Sequence, residues 1–310
     1  MEPKQSAIPG RGGEPSDNAA PVVVGVDGTS AALRAARWAG AVADHLAAPL
    51  HIVTAEPYQR YDYSDAAAAV RAAEFDEHRE AAGAILKSAA EAVRCDHPGL
   101  VVTTSSVSEP ADEALAAAGS HARLVVLGSD DVTATGALLI GSATLATVAH
   151  ATCPIVAWRG ESTMPTTQPV VVGVDGSTSD GGALGTAFEL AARLGAPLRA
   201  IHSWTRSAPG ANLAVPYLFD WNSLEENQWR HLDELIEPWR GRYPRVNVTR
   251  ICVPGKPSRA LVEHAADAQL VVVGSRRRNA LTRGLFGSTS LNLLHHSRIP
   301  VVLCPIVEHE

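Results

Sequence analysis

The 310-residue sequence predicts an α/β fold of two tandem, doubly wound domains, each a five-stranded parallel sheet of order 3-2-1-4-5. Three observations lead there. The first is an internal repeat. PVVVGVDGTS begins at Pro21 and PVVVGVDGST at Pro169, an offset of 148 residues. ARLVVLGSD (Ala122 to Asp130) returns as AQLVVVGSR (Ala268 to Arg276), Gly141-Ser142 as Gly287-Ser288, and the segment from Ala151 as that from Ser297, all at 146. A period of that size is a whole domain rather than a solenoid unit. The second observation is the alternation of continuous apolar runs with helical stretches, the pattern of a parallel sheet covered on both faces. The third is length, which suits two domains better than one.

The elements follow in order. Val22 to Asp27 is a β-branched run that ends in an Asp-Gly turn and reads as a buried strand. Ser30 to Ala47 is an Ala-rich helix capped by Thr29 or Ser30. Leu50 to Ala55 is a second strand, and Ala66 to Val93 is mostly helix. Val101 to Val107 is a third strand. Pro110 to Gly119 is a helix with Pro in its first turn. Leu124 to Gly128 is a fourth strand, Ser142 to His150 a helix and Pro154 to Trp158 a fifth strand. The second copy repeats this with strands at Val170–Asp175, Leu198–Trp204, Val246–Val253, Leu270–Gly274 and Pro300–Cys304, and a long helix from Trp221 to Arg242. The expected organisation is a disordered arm over 1–20, one domain over 21–160, a linker over 161–168 and a second domain over 169–310.

Composition narrows the function classes. Net charge is −7, which gives no attraction to nucleic acid or an anionic membrane. Aromatic residues are 5%, too few for stacking on single strands. The first twenty residues lack an apolar core and do not read as a signal peptide, and no run reaches membrane-spanning length. Cys95, Cys153, Cys252 and Cys304 form no C-x-x-C pair and have no His at zinc spacing, so they read as plain thiols of a cytoplasmic protein. No metal site is expected.

In an open doubly wound sheet, ligands bind at the carboxyl ends of the strands where the order reverses, between strands 1 and 4. The most sharply repeated residues fall there. Asp27 ends the first strand of one copy, and Val174, Asp175 and Gly176 that of the other. Gly128 ends one fourth strand; Val273, Gly274 and Ser275 end its counterpart. Gly141 and Ser142, and Gly287, Ser288 and Thr289, open the helix that follows. A helix N-terminus offers free N–H groups to a phosphate, glycine allows close approach, and a carboxylate suits a ribose hydroxyl. Taken singly, an Asp-Gly pair is a turn and a Gly-Ser pair a helix cap. Their joint placement around one crevice, in both copies, points to a ligand.

V-G-V-D-G-[ST] at strand 1, V-V-[LV]-G-S at strand 4 and G-S after a fixed loop resemble the universal stress protein family, an adenine-nucleotide α-hydrolase-like fold, and the tandem layout resembles its two-domain bacterial members. The resemblance covers Pro21 to about Val307. It implies ATP as the ligand, alone or with magnesium, and an internal pseudo-dimer in which Val301–Cys304 pairs with Ile155–Trp158; it is compatible with a further homodimer. The family's ATP-binding branch has Gly, two residues, Gly, nine residues, Gly, then Ser or Thr. The outer glycines match as Gly128 and Gly141, and as Gly274 and Gly287. The middle glycine is replaced by Asp131 in one copy and Arg277 in the other. Asp130-Asp131 places negative charge beside a phosphate, a repulsion on the order of several kcal/mol at about 4 Å. Arg276, Arg277, Arg278 and Arg283 place positive charge there instead. The second domain is therefore the expected ATP site.

Three other classes were weighed. A scaffold that needs no nucleotide is favoured by the altered glycine motif. An α-hydrolase-type ligase wants a phosphate-grip motif after strand 1, where this chain has DGTS and DGSTSD. A phosphoacceptor receiver wants an Asp ending strand 3, where this chain has Val107-Ser108 and Val253-Pro254. No residue is identified as a catalytic base, and slow ATP hydrolysis is the most turnover expected.

Overall fold

A computed structural model describes residues 20–56, 68–129, 142–176, 181–204, 221–276 and 287–306. The first domain contains β1 (Val22–Gly25), α1 (Ser30–Leu46), β2 (Leu50–Ala55), α2 (Ala68–Asp96), β3 (Val102–Val107), α3 (Ala111–Gly119), β4 (Leu124–Gly128), α4 (Ser142–His150) and β5 (Ile155–Trp158). The second contains β6 (Val170–Val174), α5 (Gly181–Leu194), β7 (Leu198–Trp204), α6 (Trp221–Arg242), β8 (Val248–Pro254), α7 (Pro257–His264), β9 (Leu270–Arg276), α8 (Ser288–His296) and β10 (Val301–Ile306).

All ten strands form one sheet, β3-β2-β1-β4-β5-β10-β9-β6-β7-β8. Each half has the expected order 3-2-1-4-5, with every pair inside a half parallel. The halves join through β5 and β10, which run antiparallel with Val302 opposite Val156. This is the pairing that the family resemblance implied. It leaves neither of these strands with an open edge.

The strands read as unbroken apolar runs because both faces are covered. On one face α1, α2, α5 and α6 pack on Val24, Ile52, Trp158, Val172 and Leu198 in a core continuous across both halves. On the other, residues of the α3–α4 and α7–α8 pairs pack on Val23, Leu127, Ile155, Val273 and Leu303. Thr29 caps α1, its hydroxyl accepting from Ala32 N at 3.1 Å. The inward face of α1 carries mostly alanine, so the helix lies close to the sheet. A Cβ placed on Gly128 falls 2.9 Å from the backbone of Ala31 and Ala32. The last residue of β4 is therefore glycine because the first turn of α1 rests directly on it.

The boundaries shift where pairing and capping decide them. Pro110 is the N-cap of α3 rather than part of its first turn. β9 continues past Gly274 to Arg276 because β10 continues to Ile306 and pairs with it. In the first domain that ladder stops at Gly128 opposite Trp158. The arm expected over 1–20 lies outside the described residues except for Ala20.

At the opposite edge of the first domain, Arg37 of α1 grips Asp96 at the end of α2 through two bonds, Nε to Oδ2 at 2.6 Å and Nη2 to Oδ1 at 3.0 Å. The guanidinium holds the Asp96 carboxyl below the ordinary carboxylate range. In the second domain Arg199 does the same to Asp267.

Three substitutions test this packing and pairing. Gly128→Ala should lower unfolding free energy by about 1–3 kcal/mol in urea melts, because backbone atoms cannot move aside cheaply. Gly83→Ala, on α2 with nothing within 4 Å of the added methyl, should raise it by roughly 0.5–1 kcal/mol. Asp96→Asn should destabilise by up to about 1 kcal/mol at pH 7, since the pair is partly exposed. A carboxyl whose folded pKa is depressed contributes stability above its unfolded pKa. That stability is lost as pH falls through the folded value. Wild type and Asp96→Asn should therefore converge as the pH drops below about 4.

Candidate functional site

The crossover from β1 to its neighbours β2 and β4 opens a crevice at their carboxyl ends. In the first domain it holds a cavity of about 190 Å³ whose lining includes Asp27, Val53, Leu115, Leu127, Gly128 and Thr144. Asp27 stands at its rim. Its Oδ1 accepts from Thr29 N at 3.0 Å and from the Thr29 hydroxyl at 2.7 Å. Asp27 thus fixes the turn that starts α1, through one carboxylate oxygen. Gly28 follows at φ +85°, a conformation that favours glycine, and Gly176 repeats it at the same angle. The two Asp-Gly turns are conformationally equivalent.

Ser142 is the first residue of α4, so the helix N-terminus anticipated there is present. Gly141 and Asp131 lie outside the described residues. Gly128 has no positive φ. It is glycine for want of space against α1, which a sequence motif alone does not reveal.

In the second domain β6 and β9 pair from Val170 opposite Leu270 to Val172 opposite Val272; Val174, Asp175 and Gly176 follow on the one strand, and Val273 and Gly274 on the other. A Cβ on Gly173 falls 3.2 Å from Val273, which shows how closely these two strand ends meet. Val174 and Val273 are buried, as is Ser275, which pairs with Pro305 inside the ladder. Gly287 is the N-cap of α8, with no side-chain cap bond and nothing within 4 Å of a Cβ placed on it. Ser288 is exposed and Thr289 half-buried in the first turn. The hydroxyl of buried Ser290 donates to Gly274 O at 3.2 Å, tying this turn to the end of β9. The α8 N-terminus is therefore an open set of N–H donors beside the strand-4 glycine. Arg277, Arg278 and Arg283 lie outside the described residues.

Two residues of this crevice were missed from sequence. His202 Nδ1 donates to Val174 O at 2.9 Å, with Nε2 2.8 Å from Gln228 Oε1. His231 Nε2 donates to Gly176 O at 2.8 Å. The two imidazoles hold the strand-1 end and its turn from beneath. Thr54 and Ile85 occupy the matching repeat positions in the first domain. A His replacing Thr inside an apolar strand was the available signal. Among the described residues no group of three His, Cys, Asp or Glu side chains is arranged to hold a metal.

Three of the four cysteines, Cys153, Cys252 and Cys304, are buried. Burial pushes the Cys153 thiol up to about 11 and that of Cys304 up to about 12, so neither is a thiolate near neutrality. Cys95 alone of the four is exposed. Among the described residues no helix is long and apolar enough to cross a membrane.

Comparison with known proteins agrees with the motifs. The model of the universal stress protein family matches residues 19–159 and again 166–305. A universal stress protein of Mycobacterium tuberculosis is 34% identical over 290 residues, covering 91% of this chain and 96% of the relative. One from Mycolicibacterium smegmatis is 31% identical over 286 residues, with the same coverage. Among solved structures, a universal stress protein from Archaeoglobus fulgidus shares the fold at TM-score 0.70 and 18% identity, over 93% of this chain and 98% of that one. Motifs, strand order and the doubled family match together place the chain in the universal stress protein family, as a tandem member with two copies of its domain.

Proposed function

We propose that this chain is a cytoplasmic stress-response protein that acts by binding ATP, chiefly in its second domain, rather than by turnover. The observation that carries the reading is the N-terminus of α8, which among the described residues has no side-chain cap and is fastened by Ser290 to Gly274 of β9, the strand whose neighbour β6 runs into the Asp175-Gly176 turn. That arrangement offers backbone N–H donors to phosphate oxygens and a carboxylate to a ribose within one crevice. Magnesium is compatible with it but not required by it.

Electrostatics separates the two copies. The residue run after Gly274 is Ser-Arg-Arg-Arg and that after Gly128 is Ser-Asp-Asp. Opposite signs at the phosphate position differ by on the order of several kcal/mol in partly screened surroundings. The cavity of the first domain suits an adenine ring, and the Asp130-Asp131 pair that follows Ser129 in sequence acts against a triphosphate. A reading in which the protein works through partner proteins without nucleotide is favoured by one observation, the loss of the middle motif glycine in both copies.

Calorimetric titration of ATP tests the reading. Wild type should bind, and Asp175→Ala should bind about tenfold more weakly, the worth of one charge-assisted hydrogen bond. Arg277→Ala should weaken ATP more than adenosine, and Asp27→Ala should change ATP affinity little. No heat at millimolar ATP would transfer the function to protein partners.

A further inference from the structure

Among the described residues the ten-stranded sheet ends in two edges that no further strand covers, β3 and β8, and the repeat allows them to be compared position by position. In a parallel ladder, alternate residues turn both backbone groups to the same neighbour. Leu50 N donates to Val101 O, and Glu56 N to Val107 O. Residues 101, 103, 105 and 107 therefore face β2, and Val102, Thr104 and Ser106 turn their N–H and C=O groups outward. In the second domain Leu198 N donates to Asn247 O, so Val248, Arg250, Cys252 and Pro254 turn outward.

The β8 edge is guarded in two of the usual ways. Arg250 is exposed and ion-paired to Asp233, and Pro254 has no N–H to offer. Their repeat partners in the first domain are Thr104 and Ser108. The β3 segment VTTSSV contains no charge and no proline, and Thr103, Thr104 and Ser106 are exposed. Val101, just before it, is 49% exposed. The β3 edge thus lacks the charge and the proline that guard β8; of its outward carbonyls, that of Val102 is covered by Arg94 of α2.

We propose that β3 pairs antiparallel with β3 of a second copy of this chain, about a two-fold axis through Ser105. The strand is complementary to itself in that register. Thr104 stands opposite Ser106 of the second copy and exchanges both backbone bonds with it. The symmetric pair does the same, so about four main-chain hydrogen bonds form. Facing side chains are small hydroxyls and valines, with the Ser106 and Ser108 hydroxyls donating to the Glu56 carboxylate of their own chain. Arg94 Nη2 holds Val102 O at 2.9 Å, which sets a guanidinium at each end of the seam. The same register carries Glu109 of the second copy to Val101, beside that guanidinium, so opposite charges meet there. The contact is isologous and closes at two chains. It uses no residue of either crevice.

Cross-linking and sedimentation test it on the full chain. Residue 105 lies in a non-hydrogen-bonded pair on the axis, where Cα atoms stand about 4.5 Å apart, within disulfide reach. In a Cys95→Ser background, Ser105→Cys should give a disulfide-linked dimer under mild oxidation. Thr249→Cys, on the guarded edge, should not. In sedimentation velocity the wild type should show a concentration-dependent dimer. Thr104→Pro removes only an outward N–H, and Ser106→Lys adds a charge; each should weaken association about tenfold or more, with circular dichroism unchanged. A monomer at every concentration overturns the proposal. So does a dimer that ignores both substitutions, or equal cross-linking at residues 105 and 249.

Discussion

The antiparallel seam between β5 and β10 is the constraint on which the rest of the molecule depends. Ile155, Val156 and Ala157 face Leu303, Val302 and Val301, and all six are buried. Each strand is the last of its half and would otherwise be an apolar edge. Joining them makes one sheet and one continuous core beneath α1 and α5. Polar contacts flank the seam: Arg123 pairs with Glu189 of the other half, and Arg159 donates to Ser297 O at 3.2 Å. Because the seam is antiparallel, the carboxyl ends of the two parallel halves point to opposite edges. The two crevices therefore open away from each other, and one small ligand cannot span both. It is the same seam that leaves β3 and β8 as the two outer strands.

The two copies keep the plan and exchange the filling. Where α1 has Gly40 against Val93, the second domain has Phe188 stacked near Trp239 and Tyr243, with ring centroids 6.3 and 6.0 Å apart. Gly185 makes room for that indole, since a Cβ there falls 2.6 Å from Trp239. Volume moved from one position to another, as close packing requires when a large side chain enters a core. The crevices diverged in a similar way. Thr54 and Ile85 lie beneath one strand-1 turn, and His202 and His231 brace the other by hydrogen bonds. The two copies share the backbone path and differ in the side chains that fill the core and brace the strand-1 turn.

Most of the fold was legible because burial on both faces writes each strand as a continuous apolar run, and because the repeat gave every element a second reading. The strand order is that of a doubly wound fold, and the β5–β10 pairing is the one the family resemblance implied. What escaped the sequence depends on partners distant along the chain. β9 ends at Arg276 rather than Gly274 because β10 is long enough to pair with it. Pro110 caps α3 instead of entering it. His202 and His231 looked like ordinary strand and helix residues until the chain brought them under the Asp175-Gly176 turn. Of the site, the strand ends and helix starts were legible as motifs, whereas the support beneath them was not.

The glycines illustrate how a motif can mislead. Gly128 and Gly274 occupy the same motif position, and both were read as phosphate-loop glycines. At Gly128 the backbone of α1 already excludes any side chain. That glycine would be retained by packing alone, whether or not a nucleotide ever bound. At Gly274 the nearest neighbour of a Cβ is the flexible end of Ile306 at 3.1 Å, a softer restriction. At Gly287, among the described residues, there is no neighbour within 4 Å, yet the residue is still glycine. Its φ is an ordinary −54°, so neither strain nor packing within those residues accounts for it. Gly287 is the N-cap of α8, a position that glycine suits. A motif glycine is thus kept by packing at Gly128 and by its place at a helix start at Gly287, before any ligand is considered.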